Sequence, residues 1–343
     1  MNPPTKPRVL SGIQPSGTLH LGNYLGAVQQ WVTGQQRAEN FFCIVDLHAI
    51  TVYQDPRLLR EQTLNLAAEL LAAGIDPDKS TLFVQSHVRA HAEACWLMNC
   101  VAPIGWLERM IQYKAKAAKQ ESVLMGLLDY PVLQTVDILL YSAHEVPVGD
   151  DQRQHIELAR DLALRFNAIY GETFVVPQGV YRESGARIMG LNDPTIKMSK
   201  SEAASNHSIR LVDEPDIIQR AFKVAVTDSG RDIVFSDDPE KAGVNNLLQI
   251  YELLSGQTRD AIEAHFAGQG YGALKREVAE VTIEALRPMR ERYRELRSNP
   301  DELMHILHRG AEQARAVAEP MCAIMRERMG LISALPNKHN VRD

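Results

Sequence analysis

Val9-Leu10-Ser11-Gly12-Ile13-Gln14-Pro15-Ser16-Gly17-Thr18-Leu19-His20-Leu21-Gly22-Asn23 decides the fold. The short apolar run Val9-Leu10 enters a Gly/Ser/Pro loop, Ser11–Gly17, and from Leu21 an apolar stripe continues through Leu25, Val28 and Val32. That order predicts strand, loop, helix. Outward from it, Phe41 to Val45 is a continuous apolar run bounded by polar residues, as expected for a strand buried on both faces. Arg57 to Ala73 predicts an amphipathic helix with Leu59, Leu66, Leu70 and Leu71 on one side, stopped by Gly74-Ile75-Asp76-Pro77. Thr81–Val84 predicts another strand. Strands alternating with helices imply βαβ units and a parallel sheet. Right-handed crossovers then put ligands at the carboxyl ends of the strands, where Ser11–Gly17 lies.

Further along, Ala90 to Ala143 reads as mostly helical, Val146 and Val148 as a short apolar segment ending at Gly149, and Gln152–Phe166 as a helix started by Asp150 or Asp151. After about Asn206 the strand signals largely cease. Pro215–Val226, Gly243–Leu254, Ala261–Phe266, Ala273–Arg297 and Asp301–Met329 all read as helices. The chain is therefore expected to be an α/β protein followed by an all-helical part. Its length, 343 residues, is ample for two such units.

Composition narrows the function classes. The net charge of -6 excludes a general positive field, so any nucleic-acid partner must meet local clusters of Lys and Arg. The helix around Arg287, Arg290, Arg292, Arg294 and Arg297 interleaves Glu291 and Glu295, which reads first as a salt-bridged, solvated face. Cys43, Cys95, Cys100 and Cys322 fit no disulfide or zinc spacing, and buried free thiols in a reducing cytoplasm are expected. Met1–Arg8 lacks the apolar core of a signal peptide, and no stretch reaches membrane-spanning length. The expectation is a soluble, cytoplasmic protein without membrane association or a resident metal.

Two strings carry chemistry. His20-Leu21-Gly22-Asn23 falls where the loop passes into a helix, whose first N–H groups and positive dipole end suit a phosphate. Gly22 would let a nucleotide approach the backbone, and His20 could donate to phosphate oxygens in the transition state. The alternative is a surface cap at His20 and a turn glycine at Gly22. Lys197-Met198-Ser199-Lys200-Ser201 places two ammonium groups three residues apart on a loop able to close over a pyrophosphate. Its alternative is an exposed basic loop.

Together, in this order, the strings resemble the paired signatures of the class I aminoacyl-tRNA synthetases. His20–Asn23 is similar to the class motif His-Ile-Gly-His, with Asn23 in place of the final His, and Lys197–Ser201 is identical to Lys-Met-Ser-Lys-Ser. Ser11–Gly17, Asp46–Thr51, Asp129–Leu133, Asp137–Tyr141, Val146–His155, Ala186–Leu191 and Lys241–Leu248 resemble the tryptophanyl branch. The likeness runs from about Arg8 to Met329.

That resemblance implies a Rossmann-type parallel-sheet catalytic domain over 1–206, with a helical insertion at about 105–145, and a C-terminal all-helical domain over 207–343 that binds the tRNA anticodon. It implies activation of L-tryptophan by ATP with Mg²⁺, transfer to tRNA-Trp, and a homodimer. Asp137 becomes the acceptor for the indole N–H, an arrangement that rejects rings lacking the donor. Leu10, His48, Gln134, Val146 and Val148 line the indole pocket, and Gln14, Tyr130 and Gln152 meet the amino and carboxylate groups. On the ATP side stand Gln14, Gly22, Asn23, Asp151, Gln152, Ile188, Met198 and Ser199, with Lys116, Lys197 and Lys200 on the pyrophosphate. Relatives commonly carry Phe at the position of Leu10 and Met at that of Gln134. His20, Asn23 and the three lysines would act by charge stabilisation, with no covalent enzyme intermediate. Tyrosine activation on the same fold, a shorter nucleotidyltransferase and a non-catalytic paralogue are the competing readings.

Overall fold

The computed structural model describes residues 6–118, 122–181, 187–199 and 206–332. Its centre is a five-stranded sheet in the order β3-β2-β1-β4-β5, formed by β1 (Arg8–Ile13), β2 (Glu39–Ile44), β3 (Thr81–Val84), β4 (Glu145–Val148) and β5 (Gln178–Tyr181). Every pairing is parallel. β1 lies in the middle, flanked by β2 and β4, so the order reverses at β1 and a crevice opens there at the carboxyl ends.

The apolar runs form strands because both faces of the sheet are covered. Phe42, Ile44, Leu82 and Val84 pack into one core, whereas their chain neighbours Phe41, Cys43 and Phe83 pack into the other. Successive residues of a strand point to opposite faces, so a two-sided core needs unbroken apolar sequence. β5 was not foreseen. As an edge strand, only half-buried, it carries no apolar run to announce it.

The Ser11–Gly17 loop leads to α1 (Leu21–Asn23), which continues through a π-helical turn, Tyr24–Val28, into α2 (Gln29–Gly34). Such turns are rare and recur at functional sites. After β2 comes α3 (Asp46–Ala49) and then α4 (Pro56–Ala72), capped by the Asp55 carboxylate, which accepts from the N–H groups of Arg57 and Leu58. The stretch read as mostly helical resolves into α5 (Ala90–Asn99), α6 (Ile104–Glu108), α7 (Ile111–Ala117) and α8 (Met125–Leu139). α9 (Arg153–Tyr170) starts without an acidic cap: Gln152 holds the capping position without a side-chain cap bond, and Asp150 instead pairs with Arg153 at 3.0 Å. Of the four cysteines, all free, Cys100 is exposed, contrary to expectation, because it follows the last turn of α5 at the surface.

From Pro215 the named elements are helical: α10 (Pro215–Lys223), α11 (Ala242–Ser255), α12 (Arg259–Phe266), α13 (Tyr271–Ser298) and α14 (Pro300–Arg328), with one short turn at Pro239–Lys241. They share the sheet's cores. α13 packs on α4, and α14 crosses the edge strand β3, with Leu303 and Leu307 in one core and Ala314, Ala318 and Met325 in the other. At the crossing, a Cβ on Gly310 would fall 1.8 Å from the Leu82 carbonyl oxygen, so only glycine permits this approach. The arginines of α13 are largely spent on ion pairs: Arg287 with Glu284, Arg292 with Glu295 and Glu302, Arg294 with Glu214 and Arg297 with Glu61. Arg290 is buried and donates to the Ile283 carbonyl. The salt-bridged reading of this face holds. Among the described residues, no helix is long and apolar enough to cross a membrane.

Candidate active site

A cavity of about 370 Å³ opens at the reversal of strand order, between the carboxyl ends of β1 and β4. Its size suits a small-molecule ligand. β1 contributes Leu10 and Gly12, and the following loop Gln14. Val146 and Val148 come from β4, His48 from α3, Lys116 from α7, and Tyr130, Gln134 and Asp137 from one face of α8. Gln152 closes the set. Thus the residues expected around the amino acid, together with Lys116, converge from segments far apart in the chain.

Asp137 forms the inner end. It is buried, and neither an arginine nor hydroxyls satisfy it. His48 Nε2 lies 2.7 Å from Oδ2, His91 Nδ1 lies 2.6 Å from Oδ1, and Gln85 Nε2 donates to Oδ1 at 2.7 Å. Against an ionised carboxylate, each imidazole nitrogen must be the donor. Burial pushes the Asp137 carboxyl up, but the hydrogen bonds from His48 and His91 outweigh it and hold the group well below the usual carboxylate range. A carboxylate offers about four acceptor directions, of which three are used. The remaining one is on Oδ2, the oxygen shared with His48, and His48 and Asp137 both line the cavity.

Among the more exposed lining residues are Tyr130, whose Oη shares a 2.9 Å hydrogen bond with His155 Nε2, and Lys116, whose Nζ lies 5.1 Å from the Tyr130 ring centroid. Burial pushes the Tyr130 hydroxyl up to about 12. Burial and the Lys116 charge push His155 down to about 4, so its ring is neutral near pH 7. The Gln134 amide donates to Gln152 Oε1 at 3.3 Å, and Gln152 Nε2 donates to the exposed Asp151 carboxylate at 2.8 Å. The Gln134 polarity is thus directed toward Gln152.

The two signature strings meet each other outside this cavity. His20 caps α1: its Nδ1 accepts from the Asn23 backbone N–H, and Asn23 Oδ1 accepts from the His20 N–H. It is a cap, but a buried one. A Cβ on Gly22 would lie 3.1 Å from His20 Nδ1 and 3.4 Å from Met198 Cβ, so Gly22 lets the second string pack against the first. Met198 is fixed by its N–H to the Ile188 carbonyl at 3.0 Å, and both side chains are buried. Lys197 is exposed and Ser199 half-buried, while Lys200 lies outside the described residues. None of these residues lines the 370 Å³ cavity.

Gln85, His91, Tyr141 and His155 escaped the sequence reading as site residues. The first two bond Asp137 across 52 and 46 positions, so no local spacing announces them. His155 did fall inside the quoted Val146–His155 string. Among the described residues, no cluster of His, Cys, Asp and Glu is placed to hold a metal ion.

Comparisons with known proteins give the family. Residues 2–287 match the family described as tRNA synthetases class I (W and Y). A tryptophan–tRNA ligase of Wolinella succinogenes is 51% identical over 328 residues, spanning 95% of this chain and 99% of that protein. One from Gloeobacter violaceus is 52% identical over 326 residues, spanning 95% and 96%. Among solved structures, a Campylobacter jejuni tryptophanyl-tRNA synthetase complexed with ADP and tryptophan superimposes with a TM-score of 0.84 at 37% identity, covering 94% of this chain and all of that one. A tyrosyl-tRNA synthetase of Aeropyrum pernix shares the fold, with a TM-score of 0.64 at 19% identity. On these grounds the chain belongs to the tryptophan and tyrosine family of class I aminoacyl-tRNA synthetases, on its tryptophanyl branch.

Proposed function

We propose that this enzyme, a tryptophan–tRNA ligase by family, activates L-tryptophan with ATP to tryptophanyl-adenylate and pyrophosphate, then transfers tryptophan to the 3′ end of tRNA-Trp with release of AMP. The observation that carries the reading is Asp137: a buried, ionised carboxylate in the wall of a cavity also lined by Leu10, Val45, Ile138, Val146 and Val148. Its remaining acceptor direction takes the indole N–H. A ring without that donor leaves the carboxylate short of a partner in an apolar slot, which disfavours it strongly.

The amino acid's polar end then points toward Tyr130, Gln14 and Gln152, and its carboxylate attacks the α-phosphate in line. ATP brings Mg²⁺ on its own phosphates, which needs no protein cage. His20 and Asn23 cap the first turn of α1, whose positive dipole end attracts the phosphates, with Gly22 giving close access. Asp151 meets the ribose, and Ile188, Met198 and Ser199 form the adenine side. Lys116, already at the cavity mouth, Lys197 and Lys200 neutralise charge on the departing pyrophosphate. The division of labour is a catalytic unit over 1–206 and a tRNA-anticodon-binding unit over 207–343. The free cysteines fit a reducing cytoplasm. A homodimer spanned by tRNA completes the proposal.

ATP–pyrophosphate exchange with each of the twenty amino acids tests it, followed by charging of tRNA-Trp. Exchange with tryptophan and esterification of tRNA-Trp are expected. Exchange with tyrosine alone would overturn the substrate, and adenylate formation without charging would overturn the second step.

A further inference from the structure

Behind Asp137 lies a group of buried side chains that no step above uses. We propose that His91, held by Tyr141, is a positioning residue for amino-acid selection: it pins one oxygen of Asp137 so that substrate meets only the other. The inference rests on the reading of Asp137 as the indole acceptor.

Four observations carry it. First, His91 and Gln85 both bond Oδ1, whereas His48 alone bonds Oδ2. Second, His48 lines the cavity but His91 and Gln85 do not, so the saturated oxygen faces away from substrate. Third, His91 Nε2 lies 2.9 Å from Tyr141 Oη. In the neutral ring whose Nδ1–H faces the carboxylate, Nε2 accepts from that hydroxyl, so Tyr141 favours the tautomer that donates to Asp137. Fourth, the ring cannot turn away, because Phe83 and Tyr141 pack on it with centroids at 6.1 Å and 5.6 Å. Gln85 is fixed from its other end, its Oε1 accepting the Leu47 N–H at 3.1 Å. Two elements thus meet on one oxygen, the turn after β3 through Gln85 and helix α5 through His91, and the segment following α8 backs the second through Tyr141. An acid hung from a helix can rotate its carboxylate, and a rotating acceptor would serve donors at several positions. A pinned one serves a donor at a single point.

The test compares tryptophan with β-(3-benzothienyl)-L-alanine, an isostere whose ring sulfur replaces the N–H, in ATP–pyrophosphate exchange. The readout is the ratio of their kcat/KM values. His91→Leu should lower that ratio roughly tenfold, about the worth of one hydrogen bond to a charged group. His91→Asn, whose amide N–H can stand where Nδ1–H stood, should restore it to within about threefold of wild type. Tyr141→Phe keeps the ring packing and releases the tautomer, so a loss of about threefold is expected. It decides the matter alone if His91→Leu fails to fold. Asp137→Asn is the control. If Asp137→Asn lowers the ratio while His91→Leu and Tyr141→Phe leave it at the wild-type value, the positioning role is refuted and the acceptor reading stands. Equal losses on both substrates in the His91 variants would likewise refute positioning. If Asp137→Asn also leaves the ratio unchanged, the acceptor reading itself falls.

Discussion

The two ends of this site are built on opposite plans. The end proposed for the amino acid is an interior: Asp137 has three donors in place, and Leu10, Val146 and His48 are buried around it. The end proposed for the nucleotide opens to the surface: its helix N-terminus is capped from within by buried His20 and half-buried Asn23, while Lys116 and Lys197 stand exposed. A selective pocket gains from fixed partners, because discrimination is the cost of leaving them unpaired. A triphosphate site must admit, grip and release, and exposed cations suit that cycle.

The sharpest way to break this contrast is Asp137→Ala. It removes the acceptor and strands three buried donors, so tryptophan kcat/KM should fall roughly 10³-fold and the preference for tryptophan over tyrosine collapse. An unchanged preference in parallel exchange assays would end the assigned role. Lys116→Ala probes the other end: kcat should drop roughly 10²-fold, with the KM for tryptophan held within about twofold. A comparable rise in that KM would show that the ends are not separable.

The interior plan also carries an acid cost. His155 is depressed to about 4 in the folded protein, against about 6.5 unfolded. The unfolded chain therefore binds the proton first as pH falls, and stability drops between pH 6.5 and pH 4. Urea unfolding should register a loss of about 2 kcal/mol on going from pH 6.5 to pH 4.5, removed in His155→Gln. The Asp137 carboxyl acts in the same direction, but only below the ordinary carboxylate range. The smallest effect belongs to the junction of the two strings. Gly22→Ala pushes a methyl against His20 and Met198 and should cost about 1 kcal/mol, with a several-fold rise in the KM for ATP. A silent Gly22→Ala would mean that the packing of Met198 on α1 does not set nucleotide affinity.

Legibility in the sequence follows the same divide. The strings at His20 and Lys197 are contiguous, because a loop or a first helical turn is a local object, and so they could be read directly. β1, β2 and β3 were legible because burial on both faces demands unbroken apolar runs. β5 was not, since an edge strand is free of that demand. Asp137 stood out as a lone acid among Val136, Ile138 and Leu139, yet its partners Gln85 and His91 did not. They meet it only after β3, α5 and α8 are packed, and side chains joined by tertiary assembly leave no spacing to read. Cys100 shows the converse: a residue type usually buried sits at the surface because the helix ends there.

The passage of α14 over β3 has a temporal consequence. Gln313 reaches Thr81, a partner made 232 residues earlier, so during synthesis the outer rim of the sheet waits uncovered until α14 emerges. Unshielded rims recruit other strands, and nascent chains are most vulnerable in that interval. The helix therefore acts as a late clasp, and shortening it would be felt first in the yield of soluble product from ribosomes, before any change in turnover.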